Sequence, residues 1–258
     1  MKLIASRDNP RFKALRDLAG DVREQRRQGM TLIDGPHLVE AYRRRVGSAL
    51  LLAVSESGLA NAEIQALLQS HDGEALCFRD ALFRELSATV SPVGILAAIP
   101  IPGESADPLQ GDCAMLDGIQ DAGNVGSILR SAAAAGIVDV ILGPGCAGVW
   151  TPKVLRAAQG AHFGLRLREC DDLAVAVKNF PGQTLATVVN ARDSIFGIDL
   201  SGRVAWLFGS EGRGLSEALV CLSARRVTIP LVEGNESLNV AAAAAVCFFE
   251  ALRQKRGE

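Results

Sequence analysis

Residues 206–216 read WLFGSEGRGLS, an apolar run that passes into a loop with Gly209, Gly212 and Gly214 and one acid, Glu211. Ala205 to Phe208 has the length and composition of a buried strand. Glycines permit positive φ and let a ligand approach the backbone closely. A loop at the end of a parallel strand is the usual ligand position in an open α/β sheet. The spacing is neither GxGxxG after a first strand nor GxxxxGK[ST], so nicotinamide and nucleoside-triphosphate readings lose support. Taken alone, the stretch also fits a plain turn before a helix at Ser216.

Outward from this loop, the second half of the chain alternates strand and helix. Strands are expected at 113–116, 139–142, 164–167, 185–189, 205–208 and 226–229, with helices at 125–135, 152–158, 173–179, 216–222 and 238–253. Short Val-, Ile- and Leu-rich runs between helices predict a mostly parallel sheet covered on both faces. The first hundred residues alternate too. Helical spacing runs over 11–28, 36–45, 61–69 and 80–87, and strands are expected at 30–33, 49–54, 75–78 and 94–99. That pattern predicts a small α/β sandwich. Three prolines and two glycines between Ile99 and Gly111 mark a boundary. The organisation read from the sequence is therefore a first domain at 1–100, a linker at 101–111 and a second domain at 112–258.

Bulk properties narrow the function classes. Of 258 residues, 48% are hydrophobic and 22% charged, as in soluble globular proteins. No run of eighteen apolar residues is present, and Met1 to Arg16 lacks the apolar core of a signal peptide. A cytoplasmic protein with no membrane partner is expected. The six cysteines form no CxxC pair and the three histidines are far apart, so neither a disulfide framework nor a metal site is supported. The net charge of −2 is unevenly spread: residues 1–45 carry eleven Lys or Arg against six Asp or Glu. Arg7, Arg11, Lys13, Arg16, Arg23, Arg26 and Arg27 lie in that basic stretch, the first place to seek phosphate contacts.

Two further stretches carry chemistry. Leu116 to Gly136 reads LDGIQDAGNVGSILRSAAAAG. Asn124 is placed as an N-cap, Gly136 fits a helix end, and Arg130 could lean back toward Asn124. A guanidinium beside amide and backbone donors suits a phosphate or a developing alkoxide. Residues 229–245 read IPLVEGNESLNVAAAAA, a strand end, a polar loop, and a helix that Ser237 could cap with Asn239 in its first turn.

In this order, NxGxxxR at 124–130, FGSEGRGLS at 208–216 and IPLxEGNESLNVAxAAA at 229–245 resemble the SpoU-type family of 2′-O-ribose RNA methyltransferases, within the SPOUT superfamily. The resemblance covers 111–258. Residues 1–100, with SRDNPRFKALRDL and LIDGPHLVEA, are similar to that family's accessory RNA-binding domain, itself similar to small RNA-binding ribosomal proteins.

The resemblance implies a parallel-sheet α/β domain with a deep trefoil knot. It implies S-adenosylmethionine as cofactor, held near Gly209, Ile229 and Leu238, and a homodimer formed through the catalytic domain. Catalytic roles fall by motif position on Arg130, Asn124, Glu211, Ser237 and Asn239. The implied reaction methylates a ribose 2′-hydroxyl in structured RNA without a metal, with ribosomal RNA favoured over tRNA. Two alternatives remain beside it: the same chemistry on tRNA, and a non-catalytic RNA-binding factor in ribosome assembly.

Overall fold

Leu32 and Ile33 are neighbours in the chain, yet they belong to different cores. The structure, a computed structural model, describes residues 1–103, 107–109 and 111–257. Its contacts gather into two units, Met1–Gly103 with Trp150–Phe163, and Glu104–Val149 with Gly164–Glu258. The expected linker at 101–111 lies partly outside the described residues.

The first unit contains β1 (Leu3–Ile4), α1 (Pro10–Gly20), α2 (Val22–Gln28), β2 (Met30–Asp34), α3 (Pro36–Arg45), β3 (Leu51–Ser55), α4 (Ala62–Gln69), β4 (Glu74–Phe78), α5 (Asp80–Leu86) and β5 (Ile95–Pro100). Its sheet runs β1-β4-β3-β5-β2. β1, β4 and β3 are parallel, and β5 is antiparallel to both β3 and β2. Side chains alternate across a strand, which divides the core. Leu32, Leu51, Ala53, Phe78, Leu96 and Ala98 face one way, onto Phe12, Leu15 and Leu18 of α1 and Leu82, Phe83 and Leu86 of α5. Ile33, Leu52, Val54, Cys77, Ile95 and Ile99 face the other, onto α3 and α4. The helix expected over 11–28 is two helices. Asp21 is extended (φ −123°, ψ 110°) and its carboxylate caps α2, accepting from Arg23 N at 2.8 Å.

The second unit begins with β6 (Cys113–Asp117), α6 (Ala122–Ala134) and β7 (Asp139–Leu142). The chain then departs from the sequence expectation. Residues 150–163, including α7 (Pro152–Ala158), pack within the first unit rather than with the rest of 112–258. Leu155 is fully buried there among Ile33, Leu38 and Ile99, and Thr31 Oγ1 donates to the Trp150 carbonyl at 2.6 Å. Helical spacing locates such a helix but does not say which core receives its apolar face.

The second unit continues with β8 (Arg166–Glu169), α8 (Leu173–Asn179), β9 (Gln183–Thr187), β10 (Asp193–Ser194), β11 (Val204–Gly209), α9 (Glu217–Leu222), β12 (Arg225–Thr228) and α10 (Val240–Arg256). The strand expected at 164–167 lies later, because Ala161–Gly164 forms a 3-10 turn. The sheet runs β10-β12-β9-β11-β6-β7-β8, and every adjacent pair is parallel. Cys113, Met115, Ala205 and Leu207 face α8 and α9. Phe208 meets Phe248 of α10 edge-on, with ring centroids 5.6 Å apart, and α10 packs against α6. From β6 the chain proceeds to β7 on one side, while β11 lies on the other. The carboxyl ends of β6 and β11 thus border the crevice where the sheet order reverses.

In the first unit Asp34 closes the end of β2. Its Oδ2 accepts from Ser87 Oγ at 2.5 Å, and Ser87 in turn meets Thr89. Burial pushes the Asp34 carboxyl up, against the opposing pull of its hydrogen bonds to Ser87 and to the Ala88 backbone and of the Arg156 charge. A carboxyl whose pKa is raised by folding favours the native state below its unfolded pKa and loses that contribution as pH rises through the folded value. Asp34→Asn is therefore expected to gain stability relative to the parent chain as pH climbs through that window, then to level off. Urea unfolding across a pH series checks it; a difference independent of pH would contradict the assignment.

Candidate functional site

The site is built from the start of α10. Asn239, not Ser237, is the N-cap: its Oδ1 accepts from Ala241 N at 3.0 Å and Ala242 N at 3.2 Å. The free backbone N–H groups of a helix start can only donate. Asn239 must offer them its oxygen, which leaves its Nδ2 to donate to Asn124 Oδ1 at 2.9 Å. With its oxygen engaged, Asn124 has only its own Nδ2 left, and this donates to Glu211 Oε1. The three stretches singled out in the sequence are thereby joined by side chains.

Asn124 occupies this position from inside α6. The helix begins earlier than expected, and Asp121 is its cap, accepting from Asn124 N at 2.8 Å. The sequence reading took Asn124 for the cap; instead Asp121 sits where its side chain can bond a first-turn N–H. Gly136 follows the helix end at φ +81°, as read from the sequence. Arg130 is exposed on α6 and has no hydrogen-bond or ion-pair partner among the described residues. It does not lean onto Asn124, whose amide is occupied at both ends.

Beside this relay lies a cavity of about 670 Å³ at the carboxyl ends of β9, β11 and β12. Gly209, Ile229 and Leu238 line it together with Glu211, Ser237 and Asn239; Arg130 does not. Its walls also include Val188, Val189 and Leu231, which sequence reading did not single out. Val188 and Val189 follow a parallel strand directly, and that placement was the available signal. The glycine loop is tightly folded. A Cβ on Gly209 would stand 2.0 Å from the Gly214 carbonyl carbon, Gly214 has φ +68°, and Gly214 N donates to Ser210 O at 2.8 Å. Asp117, at the end of β6, holds the far side of the loop by accepting from Ser216 N at 2.9 Å.

Residues 113–249 match the SpoU rRNA Methylase family. The chain belongs to the SpoU rRNA methylase family. It is 30% identical to the 23S rRNA (guanosine(2553)-2′-O)-methyltransferase RlmP of Bacillus subtilis, over 96% of this chain and 98% of that protein. It is 32% identical to an uncharacterized tRNA/rRNA methyltransferase of Synechocystis, over 98% of this chain and 94% of the relative. Among solved structures it is similar to the SpoU methyltransferase AviRb of Streptomyces viridochromogenes in complex with AdoMet, with TM-score 0.87 and 26% identity, covering 96% of this chain and 98% of that one.

The SpoU-family chain carries its predicted basic residues on the first unit, mostly paired. Arg7 meets Glu85 at 2.6 Å, Arg11 meets Glu74 at 3.1 Å, Lys13 meets Asp8 at 3.0 Å and Arg16 meets Asp17 at 3.8 Å. Arg27 is bonded to Glu24, and Arg26 also has a partner. Arg23 has no side-chain partner among the described residues. Among the described residues no group of three or more His, Cys, Asp or Glu side chains is placed to hold a metal, and no helix is long and apolar enough to cross a membrane. Near the site, burial pushes the Cys146 thiol up, and its Sγ donates to the Leu116 carbonyl at 3.3 Å. It stays a protonated, unreactive thiol at neutral pH.

Asn124 and Asn239 are expected to be energetically coupled. Asn239→Ala also removes the cap of α10, at about 0.5–2 kcal/mol. In a double-mutant cycle with Asn124→Ala, urea unfolding should return a coupling of about 0.5–3 kcal/mol. Simple additivity would mean that the relay contributes nothing.

Proposed function

We propose that this chain transfers a methyl group from S-adenosylmethionine to the 2′-hydroxyl of a ribose in structured RNA. One observation carries the reading: the Asn239–Asn124–Glu211 relay joins all three motif segments at the rim of a cavity of about 670 Å³. The cavity suits the cofactor. Its volume falls in the range of small-molecule sites, about 300–1,000 Å³. Val189, Ile229, Leu231 and Leu238 offer apolar surface to an adenine, and the loop at Gly209 leaves no room for a Cβ.

The bound cofactor supplies an electrophilic methyl carbon on a sulfonium. The protein's task is to present a ribose oxygen in line and help its proton depart. Arg130, on α6 and without a partner among the described residues, is assigned to the target phosphate, where its planar fork can bond two oxygens and stabilise developing negative charge. A guanidinium keeps its proton in proteins and is a poor base. Glu211 accepts from the Asn124 amide and so holds the glycine loop against α6. Ser237 and Asn239 close the loop that enters α10. No metal enters the scheme.

Finer features belong to the same reading. Residues 1–100 act as the accessory RNA-binding domain. The second unit carries a deep trefoil knot, a reading supported by the 229–239 segment lining one cavity with the 209–215 loop before α10 packs on α6. The enzyme works as a cytoplasmic homodimer through the catalytic unit, supported by the row of Ala242, Val246 and Phe249 along α10, with Phe249 47% exposed. Ribosomal RNA is favoured as substrate, because the Bacillus subtilis relative matching nearly end to end is named for 23S rRNA.

Labelled methyl from the cofactor should appear in bulk RNA as 2′-O-methylribose, and Arg130→Ala should lower turnover at least a hundredfold while cofactor affinity stays within about twofold. Equal loss of both would make Arg130 structural.

The RNA role of the first unit is tested by substitution rather than by deleting 1–100, since deletion would strip Leu155 of its core. Arg23→Ala should weaken RNA binding and reduce the slope of log K against log salt by about one, read by filter binding across a salt series. An unchanged slope would remove Arg23 from the phosphate contacts.

A further inference from the structure

Gly209 and Asp117 are register partners at the ends of β11 and β6, so the 209–216 loop leaves the sheet directly beside Asp117. The bonds inside that loop, Gly214 N to Ser210 O at 2.8 Å and Arg213 N to Ser210 Oγ at 3.4 Å, fix its shape but not its position. Position depends on ties to other elements. Among the described residues, two hydrogen bonds to side chains make them. In the middle of the loop, Glu211 is bonded to Asn124 of α6. At its exit, Asp117 Oδ2 accepts from Ser216 N at 2.9 Å. Glu211 is a long, exposed side chain, whereas Asp117 is short, half-buried and set on a strand end, so the second tie has less freedom. Ser216 is extended (φ −61°, ψ 142°) and its side chain makes no cap bond to α9; its backbone N–H is what it gives to this contact.

We propose that Asp117 is a positioning residue for the cofactor: through Ser216 N it holds the glycine loop where that loop can serve as one wall of the cavity. The inference rests on the cofactor reading above. Neither Asp117 nor Ser216 lines the cavity, so the pair acts on a ligand only by placing residues 209–215, which do. Gly209, Gly212 and Gly214 present backbone rather than side chains to that space. A side chain can restore a contact by changing rotamer, but backbone cannot, so a shift of the loop changes the fit to Ile229 and Leu238 on the facing wall directly.

Isothermal titration of the full chain with S-adenosylhomocysteine, beside urea unfolding of each variant, tests this. Asp117→Ala deletes the acceptor. Ser216→Pro deletes the donor at a φ that proline adopts. Each should weaken S-adenosylhomocysteine by about three- to tenfold, and the double variant should be no weaker than the more impaired single. Asp117→Asn keeps an oxygen that can accept, and should return to within about twofold of the parent. Unchanged affinity in Asp117→Ala, even with a lower urea midpoint, makes the contact a matter of stability alone and overturns the proposal. Additive losses in the double variant overturn it too, as does an Asp117→Asn chain no better than Asp117→Ala. Should Asp117→Ala fail to fold, Ser216→Pro decides: a loss supports the proposal and parent affinity overturns it. A parent chain that binds no S-adenosylhomocysteine sinks the cofactor reading itself, and this proposal with it.

Discussion

A helix start exposes backbone N–H groups that can only donate, and in the second unit that one-way demand sets the polarity of the whole site. Asn239 answers it with its oxygen, so its nitrogen points outward to Asn124. Asn124 must then receive with oxygen and give with nitrogen, and its nitrogen requires an acceptor, which Glu211 supplies. No amide in the series can turn over without leaving two donors or two acceptors facing each other. The geometry of the first turn of α10 is in this way transmitted to the glycine loop after β11 and to α6. Two short amide side chains do this without a buried charge pair.

The same loop shows why a ligand cavity forms here. Gly209 and Gly214 bring the backbone of residues 209–215 so close to itself that a side chain at 209 would collide with the chain. The loop so folded lines one cavity with Val189, Ile229 and Leu238. Parallel strands end together at this edge, so three loops from separate parts of the chain line one volume. Asp117 at the end of β6 ties the loop from the opposite side.

The first unit follows a different logic. Its basic residues lie mostly in surface ion pairs with Glu85, Glu74, Asp8 and Glu24. Exposed pairs of this kind contribute about 0–1 kcal/mol each, so a phosphate can displace the carboxylate at little cost. Pairing mutes the field of the isolated domain without removing its donors. The core beneath is divided by strand alternation, and it accepts a helix from far along the chain, with Leu155 as a fully buried member.

Local chemistry made much of this legible in the sequence. Strand and helix alternation gave the α/β class, and α7 and α8 were placed at their observed bounds because proline and apolar spacing are local signals. Gly209, Ile229, Leu238, Glu211, Ser237 and Asn239, named from motifs, do surround one cavity. Where the sequence reading erred, taking Asn124 and Ser237 for the caps, it chose between equivalent groups. Asp121 and Asn124 are both good caps, as are Ser237 and Asn239, and only the path of the chain decides which oxygen reaches the free N–H groups. Helical spacing likewise cannot say that residues 150–163 join the first unit, or that Arg11 of α1 faces Glu74, distant in sequence. Propensity and periodicity are properties of neighbouring residues, whereas partner choice depends on distances that exist only after the chain has closed on itself.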